Sequence, residues 1–178
     1  PAKHVVRGPV DERGRWYISI DYGTANPCSM GLWGIVGGVA TRVDEFYHDG
    51  RKSQRQLTDE EYYAALERLA GNRIIQHVIV DPSAASFLAC IRRHGRFRVR
   101  GADNAVLDGL RVTGSLMAEG KLLFHERCAD CIRELGAYCW DRDSPEDRVI
   151  KDNDHAMDDM RYFCNTVLRR EIRRNDWM

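Results

Sequence analysis

The sequence predicts an α/β fold in which a mixed five-stranded sheet carries helices on both faces. Three β-type segments separated by tight-turn residues come first, and β-branched apolar segments that alternate with helical segments follow. The chain has 178 residues, of which 43% are hydrophobic, which is enough for one core. Lys+Arg and Asp+Glu both number 27, so the net charge is zero. This excludes proteins that bind through a global positive field, but it does not exclude an enzyme that acts on nucleic acid.

The first half of the predicted sheet is an antiparallel meander. The pattern of apolar and β-branched residues predicts strands over 16–21, 30–38 and 39–50. Gly37 and Gly38 are typical of the tight turn in a hairpin, here between the second and third strands. The first strand ends at Asp21, and we expect the polar residues 1–15 before it to form an arm or linker.

The second half alternates helices with strands. Thr58 and Glu61 predict a capping box at the start of a helix over about 59–70. A buried strand at 74–81 ends at Asp81, and the helices on either side of it predict a parallel strand. The remaining predicted elements are a helix over 83–95, a strand over 97–100, a helix capped by Asp103 or Asn104 that runs to about Gly120, a small β-hairpin/helix insertion over 121–140, a charged loop over 141–148, and a last helix over about 154–170 capped by Asp152, Asn153 or Asp154.

Four residues between 125 and 139 have side chains that can bind zinc. They are His125, Cys128, Cys131 and Cys139. Apolar residues and cysteines also recur every three or four residues from Cys128 to Cys139, which is typical of the buried face of a helix. Because no second metal-type pair accompanies them, and no secretory signal precedes them, the sequence favours buried free thiols over a zinc site.

Aspartates occupy positions where open α/β sheets gather functional groups. Asp21 ends the first strand, Asp81 ends the buried strand, and Asp154, Asp158 and Asp159 crowd the first turns of the last helix. Such carboxylates repel one another unless a cation neutralises them, and oxygen ligands suit Mg²⁺ or Mn²⁺. His155 precedes Asp158 by three residues, so both side chains can face one site. Each residue also has an ordinary structural interpretation in a turn, a strand end or a helix cap, and position alone leaves both interpretations open.

The stretch from about 16 to 165 resembles the nuclease domain of the terminase large subunit of tailed bacteriophages, which has a ribonuclease H-like fold. The matching motifs are SIDYGTANP (19–27), DEFYHDGR (44–51), VIVDPSAASF (78–87), ADNAVLDGL (102–110), ELGAYCWD (134–141) and KDNDHAMDDMRY (151–162). The resemblance implies that Asp21, Asp81 and Asp158 are catalytic ligands of two Mg²⁺ or Mn²⁺ ions. It further implies that His155 is an accessory catalytic residue that orients water or transfers a proton. Asp158 matches the motif, whereas the acid Asp159 stands where the family often has a small or apolar residue.

The resemblance also implies an activity and a set of partners. The activity would be a metal-dependent endonuclease that cuts concatemeric double-stranded DNA by two-metal hydrolysis with little sequence specificity during viral genome packaging. The partners would be the ATPase domain, the small subunit and the portal protein of the packaging motor, in the host cytoplasm and without a membrane. Because the sequence contains no GxxxxGK[ST] and no initiator Met, we expect the nuclease part of a longer chain. Its predicted domain covers 16–170 and is followed by a tail over 171–178.

Basic side chains in three segments are candidates for contacts with the DNA backbone. They are Arg51, Lys52, Arg55, Arg92, Arg93 and Lys151. Contacts of this kind go to phosphates, carry no sequence information and weaken with salt. Because most charged runs are solvated surfaces, the sequence leaves an ordinary surface role open for each of them.

Three other functions are compatible with the sequence. The turn formed by Asp21, Tyr22, Gly23 and Thr24 resembles the phosphate-binding turn of actin-like and sugar-kinase ATPases, although that architecture needs about twice this length. A junction resolvase or integrase would share the ribonuclease H-like fold. A binding-only module that docks on a portal would show no metal-dependent cleavage.

Overall fold

Seven strands form one mixed sheet in the computed structural model, which describes residues 2–140 and 154–171, apart from the side chains of 138–140. The strands are β1 (Val5–Val6), β2 (Arg15–Asp21), β3 (Cys28–Val36), β4 (Val39–His48), β5 (Ile75–Val80), β6 (Val99–Gly101) and β7 (Leu122–His125). Their order across the sheet is β1-β7-β4-β3-β2-β5-β6. Strands β2, β3 and β4 are antiparallel neighbours, whereas β5, β6, β7 and β1 join through parallel pairs. The predicted class is confirmed, with two more strands than expected.

Helices cover both faces of this sheet. They are α1 (Gly50–Ser53), α2 (Asp59–Ala70), α3 (Ala85–His94), α4 (Val106–Ala118), α5 (Ala129–Trp140) and α6 (His155–Phe163), the last continuing into a π-helical turn over Cys164–Leu168. The hairpin turn at Gly37 and Gly38 is present, and both residues have positive φ as the tight turn requires. The capping box of Thr58 and Glu61 starts α2 as predicted. The predicted loop over 141–148 lies outside the described residues.

The segment predicted as an insertion is part of the main sheet. Strand β7 pairs in parallel with β4 on one side and with β1 on the other. Leu122 and Phe124 are fully buried, so this short strand contributes to the core of the sheet. The sequence pattern missed this because four residues are too few to define a strand period. Strand β1 lies in the predicted arm and was missed for the same reason, since it has only two residues.

Of the caps predicted for α4 and α6, the first is wrong and the second is right in position only. Ala105 occupies the N-cap position of α4, while Asp103 accepts a hydrogen bond from the Ala105 N–H at 3.2 Å. Asp154 is at the N-cap position of α6, but its side chain makes no capping hydrogen bond. Asp152 and Asn153, the other predicted caps of this helix, lie outside the described residues. Both helices therefore start without the side-chain cap expected at their own N-termini.

The central strand β2 separates two cores because its side chains alternate between the faces of the sheet. Ile18 and Ile20 are fully buried in the core under α2 and α3. Tyr17 packs into the opposite core, where Phe163 of α6 is 5.8 Å away between ring centroids. Helix α6 thus lies across the centre of the sheet, on the face where β2 also presents Asp21. Within the described part of the chain, no helix has the length and apolar character to cross a membrane.

The cysteines predicted to be buried thiols are buried. Cys128 and Cys131 are fully buried and free, and they pack with Leu135 in the core that α6 also contacts. His125 does not turn toward them, since its Nε2 lies 2.8 Å from the carbonyl oxygen of Gly8. The described residues contain no zinc-type ligand group at this position. The side chain of Cys139 lies outside the described part.

Candidate metal centre

Asp21 and Asp81 are neighbours at the carboxyl ends of two adjacent parallel strands. The pairing of β2 with β5 runs in register to Ile20 and Val80, and each aspartate follows directly. Adjacent strands lie about 4.8 Å apart, so the two backbones hold these acids close together. Ile20 and Val80 face the core under α2 and α3. Because side chains alternate along a strand, the two aspartates point to the other face, which α6 covers.

Helix α6 places further polar side chains over this edge of the sheet. His155, Asp158 and Tyr162 recur at three- and four-residue spacing and therefore share one face of the helix. The Nδ1 atom of His155 lies 2.8 Å from Oδ2 of Asp21. The pKa of Tyr162 is raised, first by burial and then by the negative charges of Asp21, Asp158 and Asp81. All four predicted site residues are thus brought to one end of the sheet, around the Tyr162 hydroxyl.

The three aspartates are neighbours, but they do not form a compact ligand set. Within the described residues, one group of His, Cys, Asp and Glu side chains brings three ligand atoms within 4.8 Å of one another, and these aspartates are not in it. Each of them instead has a protein partner of its own. His155 pairs with Asp21, Asn104 with Asp81 and Arg161 with Asp158.

Asp21 is largely buried and lies beside other charged groups that act on its pKa. Burial raises its pKa, the hydrogen bond from His155 opposes this, and the charge of Asp158 adds to the increase. The same contact acts on the histidine, because the hydrogen bond with Asp21 raises the pKa of His155 more than burial lowers it. About 17% of the Asp21 side chain and 18% of the His155 side chain remain exposed, so the pair is open to small ligands.

Asp81 is held in its ionised form. The Ser83 N–H donates to Oδ1 at 2.8 Å, and the Asn104 amide donates to Oδ2 at 3.1 Å. Burial alone would raise the pKa of Asp81, but these bonds and the nearby Tyr162 hydroxyl outweigh it and lower the pKa. Asn104 therefore orients Asp81 instead of capping α4.

Asp158 is paired with a nearly buried arginine one helical turn later. Arg161 donates from Nη2 to Oδ1 of Asp158 at 3.0 Å, and from Nη1 to the carbonyl oxygen of Asn104 at 3.0 Å. Gly109 of α4 makes room for it, because a Cβ there would lie 2.5 Å from Cγ of Arg161. Arg161 and Asn104 together connect Asp158 to Asp81. The Asp158 side chain keeps 32% of its surface exposed.

Asp159 has a different environment from its neighbour Asp158. Its side chain is fully buried, and both of its oxygens accept from Arg42, at 2.5 and 3.1 Å. The hydroxyls of Ser19 and Ser29 also donate to it, at 2.7 and 2.5 Å. Burial would lower the pKa of Arg42, but Asp159 and then Glu45 outweigh it, so the guanidinium stays charged. Asp159 therefore fastens α6 to the sheet and has no exposed oxygen for a ligand.

Glu134 of α5 caps α6 from outside, and sequence patterns do not identify it. Its Oε2 accepts from the backbone N–H groups of Ala156 and Met157 at 2.8 and 3.2 Å, and Tyr47 donates to Oε1 at 2.7 Å. This carboxylate satisfies N–H groups that the first turn of a helix leaves free. Burial raises the pKa of Glu134 to about 7, against the hydrogen bonds that favour its ionised form. The sequence gives no local signal for this cap because Glu134 lies on a different helix from the N–H groups that it binds.

We expect Glu134→Gln to change how stability depends on pH. Burial places the folded pKa of Glu134 at about 7, above its ordinary value of 4.5. The folded protein then holds this proton longer than the unfolded chain, so the contribution of Glu134 to stability falls as pH rises from about 4.5 to 7 and is constant above. The free energy of unfolding, measured with urea at pH 5 and at pH 8, is the test. Between these two pH values, that of the variant should rise by about 2–3 kcal/mol relative to that of the parent. Parallel pH profiles for the two proteins would contradict this assignment.

Five of the six basic residues predicted to contact DNA lie in the described part of the chain and are exposed, and three of these five have partners within it. Arg51 donates to the carbonyl oxygen of Ala25 and to the side chain of Asn26. Arg55 pairs with Glu61, and Arg93 pairs with Glu60. The described Lys52 and Arg92 are exposed, whereas Lys151 lies outside the described residues. A cleft of about 400 Å³ lies beside Arg51, lined by residues 22–26 and 83–86, which directly follow Asp21 and Asp81.

Comparison with known proteins finds relatives of one kind. The large subunit of the terminase of Escherichia phage T5 is 23% identical over 165 residues, which are 89% of this chain and 37% of that protein. The large terminase of a thermophilic bacteriophage, solved in complex with ADP, has a similar structure, with a TM-score of 0.85 and 40% identity over 94% of this chain and 43% of that one. This chain thus spans less than half the length of these two proteins. No protein-family model matches it.

Two separately solved nuclease domains have the same fold over nearly their whole length. The nuclease domain of the P22 large terminase has a TM-score of 0.72 at 17% identity, over 95% of this chain and 89% of that one. The large terminase nuclease domain of bacteriophage SPP1, solved with bound Mn, has a TM-score of 0.68 at 16% identity, over 96% and 98%. The resemblance indicated by the sequence motifs is thereby confirmed: this chain is similar in sequence to bacteriophage large terminases, and it has the ribonuclease H-like fold of their nuclease domains.

Proposed function

We propose that this chain is a metal-dependent endonuclease that cuts concatemeric double-stranded DNA for a viral packaging terminase, with little sequence specificity. One observation carries the proposal. Asp21 and Asp81 end adjacent parallel strands, and α6 lies across them with Asp158 and His155 on the facing side. The relatives support it, since they are large terminases, and the SPP1 nuclease domain was solved with bound Mn.

The residues at this end of the sheet fit hard divalent cations. The donor set consists of carboxylate oxygens, which suit Mg²⁺ and Mn²⁺ better than softer metals. Burial and the charge of Asp158 raise the pKa of Asp21, and a bound cation would relieve both effects. Asp21, Asp81 and Asp158 would hold two ions. Arg161 contacts Oδ1 of Asp158, so an ion at that oxygen would have to replace this contact, whereas an ion at Oδ2 would not.

Each side chain has a distinct task in the proposed hydrolysis. When bound, two divalent ions would supply Lewis-acid activation of water and neutralise charge at the scissile phosphate. His155 is held at Nδ1 by Asp21, which leaves its Nε2 free to orient water or to move a proton. Asn104 and Ser83 orient Asp81, while Arg161 compensates the charge of Asp158 before ions bind.

The substrate and partners are part of the same proposal. Double-stranded DNA would contact exposed cations through its phosphates. Lys52 and Arg92 are exposed candidates for this, whereas Arg51, Arg55 and Arg93 would first have to give up a partner within the described chain. In a complete terminase the domain, which we assign to 16–170, would act with an ATPase domain, a small subunit and a portal in the host cytoplasm. The segments 1–15 and 171–178 would then be an arm and a tail.

Digestion of supercoiled plasmid tests the proposal. The parent should nick and linearise plasmid in Mg²⁺ or Mn²⁺, and EDTA should stop it. Asp21→Asn and Asp81→Asn should each lose at least about 100-fold in rate, because losing a ligand should exceed the 10–100-fold cost of losing a residue that only supports one. Asp130→Asn, in the first turn of α5 and paired with exposed Arg133, is the matched control and should cut like the parent. Cleavage that survives both active-site changes would overturn the assignment.

A further inference from the structure

A second cluster of metal-binding side chains lies on the opposite side of the sheet from Asp21 and α6. Glu60 of α2 and Cys90 and His94 of α3 bring one ligand atom each within 4.8 Å of one another. The His94 Nε2 atom lies 2.7 Å from Oε2 of Glu60, and Sγ of Cys90 lies 3.5 Å from Oε1. Within the part of the chain that the structure describes, this is the one such triple.

The helix spacing and the local packing prearrange two of these ligands. Cys90 and His94 are four residues apart, so both side chains project from the same face of α3 toward α2. The His94 ring stacks on Tyr63 at 3.8 Å between centroids and 6° between planes. The Cys90 thiol is free and buried, whereas His94 and Glu60 are exposed. An ion could therefore enter from solvent and reach a thiolate at the base of the site.

We propose that Glu60, Cys90 and His94 bind a borderline transition-metal ion, with Zn²⁺ as the expected occupant, and that this ion fastens α2 to α3. A thiolate, an imidazole and a carboxylate are ligand types that Zn²⁺ accepts together, and Mg²⁺ does not favour sulfur or nitrogen. With metal–ligand distances of about 2.0–2.3 Å, two ligand atoms of a tetrahedral ion lie roughly 3.3 Å or more apart, so the 2.7 Å contact between His94 and Glu60 must open slightly as the ion enters between them. Water would complete the fourth position. This site is independent of the proposed nuclease centre.

Arg93 lies beside the proposed site and opposes metal binding, so its replacement predicts an increase in metal affinity. Arg93 forms an ion pair with Glu60, and its side chain is 64% exposed, so it can move away into solvent. Its positive charge competes with a cation for the same carboxylate. Burial, followed by the contact with Glu60, raises the pKa of Cys90 to about 11, so the ion must also displace the thiol proton. Removing the Arg93 charge should therefore tighten binding.

Titration with Co²⁺ in the absence of DNA tests the proposal, because a cobalt–thiolate bond gives a near-ultraviolet charge-transfer absorption that oxygen and nitrogen ligands do not give. The titration uses a parent with Asp21→Asn, Asp81→Asn and Asp158→Asn, which removes the proposed nuclease site. We expect one equivalent of Co²⁺ to produce the band and one equivalent of Zn²⁺ to abolish it. Cys90→Ser should lose the band, and Arg93→Gln should lower the apparent Kd for Co²⁺.

His94→Gln is the variant that keeps the test decisive, because His94 is exposed and its replacement should not disturb the core. It should weaken Co²⁺ binding at least about 10-fold with an unchanged circular dichroism spectrum. A band that persists in Cys90→Ser, or no band in the triple aspartate variant, would overturn the proposal. Plasmid cleavage by His94→Gln at the parent's rate would fit it, since the nuclease centre lies elsewhere, and failure of either proposal would leave the other unaffected.

Discussion

Asp159→Asn is expected to lower the free energy of unfolding by about 3–5 kcal/mol, although the change removes only one charge. Asp159 is fully buried, and Arg42, Ser19 and Ser29 all donate hydrogen bonds to its two oxygens. An amide in either orientation would turn an NH₂ group toward Arg42, which can only donate. Glu45, 3.3 Å from the guanidinium, would compensate the charge only in part.

Urea unfolding measures this effect, and a thermal midpoint lowered by roughly 6–20 °C should accompany it for a chain of this size. Asp158→Asn is the adjacent control and should stay within about 1 kcal/mol of the parent, because its pair with Arg161 is partly exposed. The double change Arg42→Met with Asp159→Leu should recover part of the loss, since it removes that pair of buried charges but leaves Glu45 without its contact to Arg42. Equal stability of Asp159→Asn and the parent would show that the buried pair does not fasten α6.

Asp158→Asn should lose at least about 100-fold in metal-dependent plasmid cleavage while it remains folded. Asp158 is the acid on α6 with exposed surface, and its charge acts on both Asp21 and Tyr162. An asparagine there removes one anionic oxygen from the proposed metal centre and leaves Arg161 without its partner. Rates at saturating Mn²⁺ and Mg²⁺, together with a circular dichroism spectrum, measure the loss.

The comparison with Asp159→Asn makes this result informative. At low temperature, where both variants are folded, Asp159→Asn should retain much more cleavage than Asp158→Asn. The reverse order would assign the ligand role to Asp159 and contradict the geometry, in which Arg42 occupies both of its oxygens. Asp130→Asn again serves as the control for a lost carboxylate on a helix.

The sequence was sufficient to predict the strands and helices that have strong local signals. The hairpin at Gly37 and Gly38 and the capping box of Thr58 and Glu61 each depend on residues within a few positions of one another, and both are present. Strands β1 and β7 were missed or misplaced because two and four residues carry too little pattern. Their place in the sheet depends on partners more than 100 positions away for β1 and more than 70 for β7 and β4.

The candidate site also contains residues that have a local sequence signal and residues that have none. Asp21 and Asp81 could be predicted as candidates because strand ends are visible in the sequence, and Asp158 because its motif is distinctive. The residues that hold these acids, such as Glu134, Asn104 and Arg42, come from separate helices and strands and have no motif of their own. Apart from that motif, no local pattern of charge or spacing distinguishes Asp158 from Asp159. The packing of α6 on the sheet separates them physically, because it buries Asp159 and leaves Asp158 partly exposed.

The two successive acids on α6 have a consequence for how the helix must be seated. Neighbouring helical residues project about 100° apart. The partly exposed carboxylate of Asp158 and the buried carboxylate of Asp159 are therefore separated by little more than a quarter turn about the helix axis. Arg42 and Glu134 hold the helix at different points and set that angle. A substitution that rotates α6 about its axis by one residue position would exchange the places of Asp158 and Asp159. The proposed nuclease would then lose activity because of that rotation, with all of its own site residues unchanged.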